Sequence, residues 1–145
     1  MGDFVKLKIF FTIVCLFCLA RVSSVLADEI TSFTDNLRNC SQYYGSQTIE
    51  LNDVKLTSTK QIMGFKGDKC VYKESVATAD SKYTVNCLLS KSNLADLVKI
   101  MDDFEKDPKA QNIDLNDFTQ VESSSVVTEW SKYLQDPNIC SIEVN

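Results

Sequence analysis

The sequence predicts an α+β domain: an N-terminal helix, a four-stranded antiparallel meander, then two to three helices packed on one face, with two disulfides. Three observations carry this reading. Apolar residues recur at helical spacing near both ends of the chain, β-rich segments with short turns fill the middle, and four cysteines follow an export signal.

Residues 1–27 read as a cleavable signal peptide. Lys6 and Lys8 form a basic start, Ile9 to Ala20 is an apolar run of 12 residues, and Val25 and Ala27 put slim side chains ahead of Asp28. The run is too short to cross a bilayer core of about 30 Å. Removal leaves residues 28–145, a single domain of 118 residues expected in a secreted or periplasmic location, with no membrane span.

In residues 28–40, Ile30, Phe33, Leu37 and Cys40 make one helical stripe, and Asp28 and Glu29 sit where the helix dipole favours acid. Residues 48–51 and 54–65 are rich in Thr, Ile and Val and meet at Asn52-Asp53, a turn pair. Gly67 and Asp68 mark the next turn, residues 69–78 a third strand, and residues 82–89 a fourth. In that last strand Tyr83, Val85, Cys87 and Leu89 share one face. Leu94, Leu97, Val98, Met101 and Phe104 then give the clearest helical stripe, started by Ser90 or Ser92 and stopped by Pro108. Asp114 caps a further helix through Phe118 and Val121. A last helix carries Val126, Val127, Trp130, Tyr133 and Leu134, and Pro137 leaves Cys140 in a short tail.

Cys40, Cys70, Cys87 and Cys140 are an even set in an exported chain and are expected to form two bridges. Four cysteines allow three connectivities. A hairpin centred near 78–79 sets Cys70 nearly opposite Cys87, which favours Cys70–Cys87 with Cys40–Cys140. Zinc is disfavoured, because the cysteines lie far apart and the chain has no histidine.

The missing histidine also removes Ser-His-Asp and Cys-His catalysis. No P-loop or G-x-G-x-x-G exists among four glycines, and no cofactor is called for. Residues 28–101 hold nine acidic and nine basic side chains, whereas 102–145 hold ten acidic and three basic, which disfavours nucleic acid at that face. Within that acidic stretch Asp102, Asp103, Asp114 and Asp117 are weak cation candidates. The run from Asn112 has Asp117 where a calcium loop needs Gly, and Ser123 where it needs Glu. Phe65, Tyr72, Tyr83 and Trp130 read as core with a ligand groove as the alternative. Tyr43 and Tyr44, in a connecting segment, are candidates for partner contact. Asn39-Cys40-Ser41 is a formal glycosylation sequon.

The run from Ile62 through Gly64, Phe65, Lys66, Lys69 and Cys70 to Tyr72, then Cys87, Ser90 and Leu94, resembles small exported four-cysteine bacterial proteins. Trp130, Tyr133, Leu134 and Cys140 extend the resemblance over most of the chain. It implies export and a four-cysteine domain, and it implies no activity. The expected function is that of an exported non-catalytic domain binding a protein or small ligand outside the cytoplasm. A cation-responsive module using the acidic helices and a small hydrolase are the alternatives.

Overall fold

Strand-forming sequence and two-residue turns build one antiparallel sheet in the computed structural model, which describes residues 24–51, 53–106 and 125–145. The sheet order is β1 (Tyr43–Leu51), β2 (Val54–Lys66), β3 (Lys69–Ala77), β4 (Lys82–Leu89) and β5 (Cys140–Val144). Helix α1 (Ser24–Asn39) precedes the sheet. Helices α2 (Lys91–Lys106) and α3 (Ser125–Gln135) lie between β4 and β5 in sequence.

The elements form for local reasons. Gly67 adopts φ 65° in the two-residue turn that joins Lys66 to Lys69, a conformation open to glycine without steric cost. Thr78 Oγ1 accepts the N–H groups of Asp80 and Ser81 at 3.3 and 3.2 Å, closing the turn between β3 and β4. Ser90 Oγ accepts the N–H of Asn93 at 3.1 Å while Asn93 Oδ1 accepts the N–H of Ser90 at 2.9 Å, a reciprocal cap that starts α2. At the far end of α1, Ser41 N–H bonds to Asn36 O at 2.9 Å and Cys40 N–H to Leu37 O at 3.1 Å. That is a Schellman stop, with Cys40 at φ 48° in the left-handed position usually given to glycine.

One sheet face is covered and the other is open. Leu56, Ile62, Cys70, Tyr72, Val76, Val85, Cys87 and Leu89 are buried on the covered face against Phe33 and Leu37 of α1, Trp130 and Leu134 of α3, and the α2 stripe. All five residues of that stripe, Leu94, Leu97, Val98, Met101 and Phe104, are buried as their spacing predicts. The open face carries polar cross-strand pairs such as Thr48–Thr57, whose hydroxyls lie 3.0 Å apart.

Two expectations are corrected. The sheet has five strands, because the segment read as a tail after Pro137 forms β5. Its Cys140–Cys87 and Ile142–Val85 pairs complete the ladder along β4. The bridges are Cys40–Cys70 and Cys87–Cys140, in place of Cys70–Cys87 and Cys40–Cys140. The reason is register: Ala77 pairs with Lys82, so Cys70 faces Leu89 and Cys87 faces Tyr72, two residues off the expected match. Cys87 is then directly opposite Cys140, with Cα atoms 4.1 Å apart. Helix α1 begins at Ser24, ahead of the expected cleavage point. Residues 1–23 and the helix expected from Asp114 to Val121 lie outside the described residues. Among the described residues no helix is long and apolar enough to cross a membrane.

Candidate functional site

A groove of about 550 Å³ runs between the C-terminal end of α1, the β2–β3 hairpin and α2. Strand alternation makes its floor. A register break between Ile62 and Gly64, where Gly64 takes φ 94°, shifts the following residues so that Phe65 pairs with Cys70. Phe65 therefore reaches the helix side of the sheet at the hairpin end, where it stays 48 % exposed. Ala95, Leu94 and Val98 supply the apolar wall along α2.

The rim is charged in a particular way. Arg38, Lys91, Lys99 and Lys106 line it with Asp102 and Asp103. Arg38 Nη2 donates to both carboxylate oxygens of Asp102, at 3.0 and 3.1 Å, which ties α1 to α2. Lys99 donates to Asp103 at 2.8 Å along α2. That hydrogen bond, and the lysine's charge behind it, hold the Asp103 carboxyl below its ordinary range and raise Lys99. Lys91 and Lys106 form no ion pair among the described residues. The rim is thus electropositive within an acidic protein.

Asp102 and Asp103, two of the cation candidates, are therefore each engaged by a basic side chain. Asp114 and Asp117 lie outside the described residues, and among those described no three potential metal ligands converge. Tyr43 and Tyr44 belong to β1 instead of a connecting segment, and strand alternation sends them to opposite faces. Tyr43 packs edge-on against Phe33, ring centroids 5.4 Å apart. Tyr44 is 66 % exposed beside Met63, in a shallow cleft of about 360 Å³. Of the four aromatics weighed for a groove, Tyr72 and Trp130 are core, with centroids 5.6 Å apart, and Tyr83 is partly buried. Phe65 alone of the four lines the groove.

A second polar cluster lies inside the fold. Glu74 is 1 % exposed, its Oε2 accepting from Tyr72 Oη at 2.6 Å and its Oε1 from Ser58 Oγ at 3.2 Å. Lys60, its cross-strand neighbour, sits with Nζ 5.0 Å from the Phe33 ring centroid. Burial raises the Glu74 carboxyl above its ordinary value of 4.5, against the opposing pull of Lys60 and the two hydroxyls. In the core, packed on Tyr72, the Trp130 indole N–H is buried and has no hydrogen-bond partner among the described residues. Sequence reasoning missed Glu74 as an inward group, although Cys70, Tyr72 and Val76 at even spacing place it on the covered face. It also missed Arg38 and Lys91, which only tertiary packing brings to Phe65.

No protein-family model matches the chain, and neither a curated protein nor a solved structure shows significant similarity to it.

Proposed function

We propose that the protein is an exported, non-catalytic binding module whose groove takes a small ligand with an apolar body and an anionic end. One observation carries the reading: half-exposed Phe65 floors a concavity whose rim bears four cationic side chains against two carboxylates. An aromatic ring left in water gains on the order of 25 cal/mol for each Å² of apolar surface that a ligand covers. The groove's volume falls within the roughly 300–1,000 Å³ of small-molecule sites. Asp102 and Asp103 are already held by Arg38 and Lys99, so the ligand's negative charge turns to Lys91 and Lys106. The two disulfides are consistent with an oxidising compartment outside the cytoplasm.

Titration with octanoate, and with 1-octanol as the uncharged control, tests the reading by amide chemical-shift mapping. Octanoate should give saturable shifts centred on Phe65, Lys91 and Ala95, octanol markedly weaker ones, and Phe65→Ser should abolish both. Absence of saturable shifts, or equal binding of acid and alcohol, would overturn it.

A further inference from the structure

The two edges of the sheet are built differently. β5 has five residues, and the Cys87–Cys140 bridge pins its first residue to β4. β1 has nine residues, pairs with β2 without a register break, and has no strand on its other side among the described residues. Natural edge strands are guarded by shortness, by Lys or Pro, or by bulges, because unpaired N–H and C=O groups template association. β1 has none of these guards. It reads Tyr43-Tyr44-Gly45-Ser46-Gln47-Thr48-Ile49-Glu50-Leu51, and Glu50 is its single charge.

We infer that β1 is the docking edge for a second copy of this chain, pairing antiparallel with that copy's β1 about Gln47. The strand is complementary to itself in that register. Ser46 faces Thr48 of the second copy, Tyr44 faces Glu50, and the two Glu50 carboxylates fall at opposite ends of the ladder, about 20 Å apart. Like charges therefore never meet across the junction. The open face of β1 and β2 already carries hydroxyl pairs, Ser46–Thr59 at 3.5 Å and Thr48–Thr57 at 3.0 Å, and the Ser46–Thr48 matches continue that row into the second copy. Tyr44 and Met63, 66 % and 59 % exposed, lie at the rim of the same junction. The contact is isologous and closes as a dimer with one ten-stranded sheet.

Light scattering on the full chain with its disulfides formed, over a micromolar dilution series, should show twice the monomer mass at the concentrated end. Ser46→Glu with Thr48→Glu sets two like-charge pairs across the junction and should weaken the dimer about tenfold. The matching double lysine variant should do the same, and mixing the two variants should restore the dimer. Both positions are exposed on the open face, and unchanged thermal unfolding of each variant confirms that it is folded. Amide exchange over residues 44–50, which needs no substitution, should slow as concentration rises. A monomer throughout, a dimer indifferent to both variants, or exchange independent of concentration would overturn the inference.

Discussion

A lysine meets a carboxylate both in the core and on the groove wall, with opposite results. Under α1, Glu74 faces Lys60 and accepts two hydroxyl hydrogen bonds, yet its carboxyl holds its proton more tightly than in water. On α2, Asp103 faces Lys99 and gives up its proton more readily. The partners are alike, so the surroundings decide. Removing a carboxylate from water costs more than one lysine and two hydroxyls return, whereas at the surface the ion stays hydrated and the lysine's contribution is a net gain. The core cluster therefore ties β2 to β3 from within, whereas the groove charges stay hydrated at the surface.

Substitutions can sharpen or break this contrast. The largest effect belongs to the Trp130 indole, which packs on the Tyr72 ring whose hydroxyl holds the buried carboxylate. Trp130→Ala should cost about 3–5 kcal/mol in urea unfolding, while Trp130→Phe, which deletes an N–H with no partner among the described residues, should cost much less. Equal losses would show that the indole N–H is satisfied after all.

Next comes Glu74→Gln, read against pH. Because the folded pKa lies above 4.5, the wild type carries no ionisation penalty well below that value and the full penalty above its folded pKa. The melting temperature of the variant relative to the wild type should therefore rise as pH increases from 4.5. A difference that shrinks with rising pH would mean that Lys60 dominates, and the contrast would fail. The smallest effect is expected at the surface pair: Lys99→Ala should leave the melting temperature unchanged within error, because exposed pairs contribute little.

Legibility in the sequence followed how local each interaction is. The α2 stripe, its Ser90 start and strand β4 depend on neighbours within a few residues, and all three were readable. The disulfide pairing hinged on one hairpin register, where a shift of two residues along β4 exchanged partners. β5 offered a period-two pattern, with Cys140, Ile142 and Val144 against Ser141 and Glu143. Five residues after a proline are too few to tell from a tail without β4 beside them. The Tyr43-Tyr44 pair was split because β1 extends further back than its Thr- and Ile-rich stretch. The groove was the least legible feature. Arg38, Phe65 and Lys91 are far apart in the chain and meet only after α1 and α2 dock on the sheet.

Cys140 is the last of the four bridged cysteines to be synthesised, and its bridge partner lies 53 residues earlier. A chain made from its N-terminus thus presents Cys40, Cys70 and Cys87 together before the fourth thiol exists. The correct bridge, Cys40–Cys70, closes a longer loop than a Cys70–Cys87 mispair, and chain entropy alone favours the shorter one. In the folded chain the left-handed turn at Cys40, held by the two hydrogen bonds that stop α1, fixes the backbone of the residue that bridges to Cys70. The Cys40–Cys70 bridge thus joins the end of α1 to the start of β3, and it is complete without the last strand.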